Sequence, residues 1–519
     1  MIETARHNDM ADPPAEPLTE LPRPAPQNAR PTYGHHAARG LASNFISSLI
    51  VKGVSFAGQV VVAWNLSKHD MGLAATAMAA SIFPAQIKEF GIAQLLMRHP
   101  KRYAAWSADA FWLEMVLGFI CVIVTGLMCA VWSAKSTGVI GPLMLMSFGY
   151  WITAPAAVPF AKLSMDLRFV LIARLNTLMT IASTVASIVL AILGFGPYAL
   201  VLPILLAAIL RASAGFFLSP VKILRQPHWS RWRVMLGDGW KLTLTFLLFQ
   251  VVWQCDYLVL DATNSVEQVG IYFFAFQLSS QMLTLLSQSL AGVLLPVLGH
   301  LRGDSTRQLS GFLRAARYLC AIGIPLCFLQ AGVADPLLRV IWHEKWVEAI
   351  PALQALSIGT AFRLLGVPST SLLIAQGRLN AYLISAAISA IGFLAIITFA
   401  AHLGAATSMA VGVAIFYSIM ETGIAIVAIG GGTAGWFSRG LEAVKLVLSP
   451  PVFSGLVGGA VGFAAAHFVS VRLGAMPALL IGSASGFAAS MLAIRSTSKE
   501  MFLELLALPR SFIAGVQRG

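Results

Sequence analysis

From residue 41 to residue 494 the chain alternates long apolar runs with short polar turns. A helix needs about 20 mostly apolar residues to cross a bilayer, where its backbone groups can be satisfied only internally. That length predicts spans near 41–64, 71–95, 108–132, 138–160, 168–193 and 197–220. It predicts six more near 239–262, 268–299, 310–331, 349–374, 381–402 and 406–430, then two near 450–470 and 474–494. The expected fold is an all-α integral membrane protein of about 14 transmembrane helices. The turns are too short to hold an independent folded domain. Residues 1–40 break the pattern. Pro13, Pro14, Pro17, Pro22, Pro24, Pro26 and Pro31 lie there among mixed charges, which predicts a disordered tail. The expected divisions are this tail, a first half at 41–220, a basic amphipathic linker at 221–238, and a second half at 239–430. Spans thirteen and fourteen follow with their preceding loop at 431–495, then a second tail at 496–519.

Composition narrows the classes. Hydrophobic residues make up 57% of the chain and charged residues 11%, against roughly 45–50% and about 25% in soluble domains. A soluble enzyme, a disulfide scaffold and a disordered protein are excluded. A net charge of +13 would suggest nucleic acid in a soluble protein, but its distribution here gives another account. With the amino terminus in the cytoplasm, most of the 35 Lys and Arg fall on the cytoplasmic side. Lys68, Lys135, Arg339, Lys345 and Arg472 fall outside, and Lys52, Lys88 and Arg363 fall within spans. This positive-inside asymmetry predicts a multi-pass protein with both termini cytoplasmic and no nucleic acid partner. The cysteines, Cys121, Cys129, Cys255, Cys320 and Cys327, sit in apolar runs without CxxC spacing. They imply neither a disulfide nor a metal site. The chain carries no GxxxxGK[ST], no HExxH and no GxSxG in a hydrolase setting, so no catalytic residue and no cofactor is assigned.

A repeat lies within the pattern. VVVAWNLSKHDMGLAATAMAASIF and CDYLVLDATNSVEQVGIYFFAFQLSS each read as a helix, a polar turn, a glycine and a second helix. Aligning Gly72 with Gly270 gives an offset of 198 residues, with six spans between. Both halves therefore keep the same orientation, a plan found among transporters.

Polar residues recur at helical spacing inside the spans. Asn44, Ser48, Lys52, Ser55 and Gln59 mark one face of span one. Lys52 lies roughly 16 Å into that span at about 1.5 Å per residue. A cation facing lipid there costs about 2.5–3.5 kcal/mol or more, so this face is expected to line a wet cavity. Gln277, Gln281, Thr284 and Gln288 form a similar face in span eight, and Gln250 and Gln254 lie one turn apart in span seven. Arg363, midway along span ten, has the planar fork that suits phosphate; the alternative is a pair with Glu421 or Glu114. Asp256 and Glu421 are candidates for ion coupling, the alternative being helix–helix pairing. Lys88 and Glu89 read as a cavity mouth or an interfacial pair. The stretch from Arg225 to Arg233, with Trp229 and Trp232, reads as an amphipathic element on the headgroups. A cationic and amide lining suits an anionic, hydroxyl-rich substrate.

Several strings resemble one family. WNLSKHDMGL, KEFGIAQLLM, SADAFWLEMVLG, LRFVLIARLNTL, GFGPYALVLPILL, WQCDYLVLDATNSVEQVGIYFFAFQL, LLPVLGHLRGD, ADPLLRVIWHEKWVEAIPALQALSIG and IAQGRLNAY are similar, in that order, to the polysaccharide-transport family of lipid-linked oligosaccharide flippases. The resemblance runs from about Leu41 to Glu421. His343 and Glu344 stand where that pattern has a glycine before Trp346. The resemblance implies two pseudo-symmetric six-helix lobes around a central cavity, with two extra carboxy-terminal helices. It implies alternating-access movement of undecaprenyl-pyrophosphate-linked sugars across a bacterial plasma (inner) membrane. Lys52 and Arg363 would then meet the pyrophosphate. Glycosyltransferases and a polymerase of the same pathway would be partners. A multidrug or cation antiporter of the same superfamily is the second reading, and a polysaccharide polymerase or ligase the third.

Overall fold

The computed structural model describes residues 51–98, 102–132, 137–166, 168–220, 228–300, 305–431 and 435–503. The proline-rich tail, Asn44, Ser48, most of the linker before His228, the end of the second tail and the side chain of Gln288 lie outside the described residues. Every regular element described is helical. The first half comprises α1 (51–65), α2 (Lys68–Lys88), α3 (Ile92–Arg98), α4 (Tyr103–Trp132), α5 (Ile140–Thr153), α6 (Ala157–Met165), α7 (Phe169–Ile192) and α8 (Tyr198–Leu218). The second half comprises α9 (Trp229–Thr263), α10 (Val266–His300), α11 (Ser305–Gly332), α12 (Ala334–Trp342), α13 (Ile350–Ala375), α14 (Leu379–His402) and α15 (Ala406–Gly430). Two further helices follow, α16 (Trp436–Leu473) and α17 (Ala475–Thr497).

Among the described residues, 12 helical segments are long and apolar enough to cross a membrane. The expectation was about 14, and the difference lies in α1 and α2. The described part of α1 is short. α2 is rich in alanine and carries Lys68, His69, Asp70 and Lys88, and most of its residues are buried against other helices. A helix packed in protein needs less apolarity than one facing lipid, so length and hydropathy understate it. The described part of the expected amphipathic linker and much of the loop expected before span thirteen are also helical. α9 runs unbroken from Trp229 into span seven, and α16 begins well before the expected start of span thirteen.

Local chemistry sets the turns. Ser67 caps α2, its hydroxyl accepting from the Asp70 N–H at 3.0 Å while the Asp70 carboxylate receives the Ser67 N–H at 3.3 Å. This capping box fixes where α1 ends and α2 begins. At the opposite end, buried Asp109 of α4 receives Arg231 at 2.7 Å and the His228 N–H at 2.7 Å. The Trp232 indole donates to the Asp109 carbonyl at 2.9 Å. The start of α9 is thus tied to α4, while Trp229 faces outward. The α16–α17 hairpin closes on small residues. Gly458 and Gly462 lie against Gly486, and Gly459 lies against Phe328 of α11. Ser454 donates to the Ser490 carbonyl at 2.9 Å. Such small residues let helices approach closely in a membrane.

The two halves meet around the repeat. His69 lies 3.0 Å from Glu267, 198 residues away, the same offset that aligns Gly72 with Gly270. A Cβ at Gly72 would run into the Val266 carbonyl, and one at Gly270 into the Lys68 carbonyl. Exchanging each residue for its repeat equivalent converts one contact into the other. The α2 and α10 starts therefore cross on a local two-fold, with backbone against backbone.

A strap holds the same end. Trp64 donates to the Ile341 carbonyl at 2.6 Å, Trp342 to Val60 at 3.2 Å, and Trp346 to Ala63 at 3.0 Å. Lys345 donates to the Trp64 carbonyl at 2.7 Å. Trp346 is fully buried and stacks on Phe274, ring centroids 4.2 Å apart. Between Trp342 and Trp346 the chain turns through His343 at φ +55° and ψ −131°. This is backbone space that glycine occupies freely and a Cβ disfavours. The glycine of the family pattern at this place has a physical reason. His343→Gly should raise stability by about 1 kcal/mol, read as a higher unfolding midpoint in detergent; an unchanged or lower midpoint would contradict the strain.

Candidate functional site

Polar side chains inside the helices gather in three places. The first lies between α1, α7 and α10. Ser55 and Gln59 of α1, Thr184 and Ser187 of α7, and Gln277 and Gln281 of α10 line a pocket of about 230 Å³. The Gln281 amide donates to Gln59 Oε1 at 2.6 Å. The amide faces expected in spans one and eight thus meet each other across the two halves. Lys52 lies one turn from Ser55 on α1 and is half-buried. It stands about 18 Å from Trp64 along the helix, so the pocket separates it from the strap. Gln250 and Gln254 are half-buried on α9 and lie outside this lining.

The second place surrounds Arg363 on α13. Its guanidinium lies 3.9 Å from the centre of the Trp253 ring and 4.6 Å from that of Tyr417. Its Nε is 4.0 Å from the Glu421 carboxylate, and the side chain is 7% exposed. Gly366 makes room for that carboxylate, since a Cβ there would collide with it. Asp256, fully buried, receives the Tyr272 hydroxyl at 2.6 Å. Arg363 therefore has an acid on one side and aromatic faces around it, two sources of compensation for a cation out of water.

The third place is a cavity of about 770 Å³ within the first half. Gln94 of α3, Tyr150 and Thr153 of α5, Ser164 of α6, and Asn176, Thr180 and Ser183 of α7 line it. Lys88, Glu89 and Arg211 are its charged lining. Lys88 is held by Glu89 at 3.0 Å. Arg211 lies 4.2 Å over the Phe160 ring and 3.4 Å from Asn176 Oδ1. Among the described residues, no carboxylate lies within ion-pair distance of it.

The sequence reading named Lys88 and Glu89 as a cavity mouth or an interfacial pair, and the structure places both on this lining; it missed Arg211 and the α7 wall. Arg211 was counted as a marker of topology. The signal was present in α7: Asn176, Thr180, Ser183 and Ser187 recur at spacings of 4, 3 and 4, as in spans one and eight. One face of α7 therefore runs from the large cavity to the amide pocket.

Known proteins resemble this chain in family and in fold. A family described as "Polysaccharide biosynthesis protein" matches residues 61–351. The teichuronic acid biosynthesis protein TuaB of Bacillus subtilis (strain 168) is 27% identical over 123 residues, 24% of this chain. That match spans 26% of TuaB's own length. The lipopolysaccharide biosynthesis protein WzxC of Escherichia coli (strain K12) is 24% identical over 343 residues, covering 64% of this chain and 69% of WzxC. Among solved structures, the lipid II flippase MurJ in an inward closed conformation superposes with a TM-score of 0.69 at 11% identity. The match covers 89% of this chain and 99% of MurJ, which makes the two folds alike.

Proposed function

This chain is a member of the polysaccharide biosynthesis protein family, and from that premise we propose that it is a membrane flippase for lipid-linked oligosaccharides. It carries undecaprenyl-pyrophosphate-linked repeat units from the cytoplasmic to the outer leaflet of the bacterial inner membrane, with both termini cytoplasmic. Glycosyltransferases that build the unit and a polymerase that extends it are its pathway partners. It is a carrier that breaks no covalent bond.

One observation supports this above the rest. The two repeat halves touch through a symmetric glycine crossing and a tryptophan strap at one end, and polar pockets lie below that seam. A seam that seals one end over a polar interior is what alternating access requires, because only a population shift between two closures moves cargo across. Positive-inside charge makes the sealed end the outer one. In this reading the amides of Gln59, Gln277 and Gln281 meet hydroxyls in the path, with Gln250 and Gln254 facing the same route. Lys52 meets the pyrophosphate as it enters. Arg363 reaches a phosphate only by parting from Glu421, and Asp256 and Glu421 are the groups through which an ion could be coupled.

Deletion of the gene tests the reading. The strain should accumulate a lipid-linked glycan on the cytoplasmic leaflet, identified by mass spectrometry of extracted lipids. Normal surface glycan with no accumulated intermediate would sink it. An antiporter would instead change drug tolerance while leaving the glycan pool unaltered.

A further inference from the structure

Two arginines lie inside the helix bundle in opposite settings. Arg363 has an acid at 4.0 Å and rings on two faces. Arg211 has one ring and one neutral amide oxygen, and it lines the 770 Å³ cavity. A cation within a membrane protein is held by an acid, by water or by an anionic ligand. For Arg211 no acid lies within ion-pair distance among the described residues; Glu89, on the lining of the same cavity, acts on it only at longer range, so water and a ligand remain as its close partners. Phosphate suits the guanidinium fork because two oxygens can be bound at once.

The rest of the lining points the same way. The cavity's other cation, Lys88, is already neutralised by Glu89, which leaves Arg211 as the lining cation with no close counter-charge. Away from Arg211 stand the hydroxyls of Thr153, Thr180 and Ser183 and the ring of Tyr150. Hydroxyls and an aromatic edge serve a sugar, which needs many short-range donors and acceptors and an apolar face to rest on. The volume falls within the roughly 300–1,000 Å³ of ordinary ligand sites.

We propose that this first-half cavity is a binding site for a sugar phosphate headgroup. Arg211 anchors the phosphate, and the α7 face of Asn176, Thr180 and Ser183 receives the sugar. The proposal rests on the carrier reading for its cargo, and it places the headgroup in one half rather than on Arg363.

The test is binding by the full chain in nanodiscs, with farnesyl pyrophosphate, farnesol and a farnesyl-pyrophosphoryl sugar as probes. Both pyrophosphates should bind and farnesol should not compete. Arg211→Ala should weaken both roughly 10- to 100-fold, the loss of a charge-assisted hydrogen bond pair. Asn176→Asp should do the same without removing the arginine, because it supplies the missing acid. Arg472→Ala, at an exposed helix end, should bind as wild type. Thr180→Val with Ser183→Ala should weaken only the sugar-bearing probe. Wild-type affinity in both Arg211→Ala and Asn176→Asp overturns the anchor. Equal weakening of both pyrophosphate probes by the α7 pair overturns the sugar face. Cells separate the two readings. If the deletion strain accumulates lipid-linked glycan and Arg211→Ala restores export, the cavity proposal fails and the carrier stands. If binding follows Arg211 but no glycan accumulates, the carrier reading fails and the anion site stands.

Discussion

Gly72→Val and Gly270→Val should each abolish glycan export to a similar degree, although neither residue touches any of the polar pockets. The Cβ that either substitution adds points at a carbonyl of the other half, Val266 in one case and Lys68 in the other. A backbone oxygen cannot swing aside as a side chain end can, so the helices must separate. Overpacking of this kind costs about 1–3 kcal/mol or more, enough to shift a two-state equilibrium roughly 5- to 150-fold. The sealed state would be depopulated, and with it the cycle. The exposed ion pair on the same two-fold offers the contrast. His69 and Glu267 are half-exposed, and such pairs contribute roughly 0–1 kcal/mol. Glu267→Ala should therefore export nearly as wild type. The measurements are surface glycan in a complemented deletion strain and the labelling of a cysteine placed at the seam. Full export by both valine variants would show that this crossing need not close.

Much of this seam was legible in the sequence, and the reason is local. A capping box, a glycine and a turn are written within a few residues, so SKHDMGL and its partner around Gly270 declare themselves. The 198-residue offset then returned as a physical distance, between His69 and Glu267. The amide faces were legible for the same reason, since 3.6-residue periodicity belongs to one helix. That Gln59 would bond Gln281 was not, because their pairing depends on how α1 and α10 cross. The place of Arg211 on a cavity wall was not legible for a deeper cause. The positive-inside rule counts every cation near a helix end as topology, and a cation folded into a cavity has the same signature. The cage of Arg363 shows the remaining limit. Its rings come from Trp253 of α9 and Tyr417 of α15, and no local pattern ties three helices so far apart in the chain. Glu421 could be named only as one of two possible acids.

That cage carries the second large effect. Glu421→Leu should leave Arg363 buried beside aromatic rings with no carboxylate at ion-pair distance, and removing one partner of a buried pair costs about 3–5 kcal/mol. The variant should unfold at a markedly lower temperature in detergent and reach the membrane in reduced amount. Arg363→Met in the same chain should restore most of the loss, because an apolar pair of similar volume is often neutral or better. The double variant then separates structure from transport. If Arg363 serves only to hold α13 against α9 and α15, the rescued protein exports glycan at a near wild-type rate. If its guanidinium leaves Glu421 to meet the pyrophosphate during the cycle, the rescued protein is folded and silent. A single Glu421→Leu variant as stable as wild type would show that the 4.0 Å approach contributes little and that the aromatic faces alone hold the cation. The Arg211 variants complete the logic, since they change no buried pair. A chain that keeps its fold but loses export on Arg211→Ala, and keeps both in the double variant, assigns the phosphate to the first half and the structural role to the second.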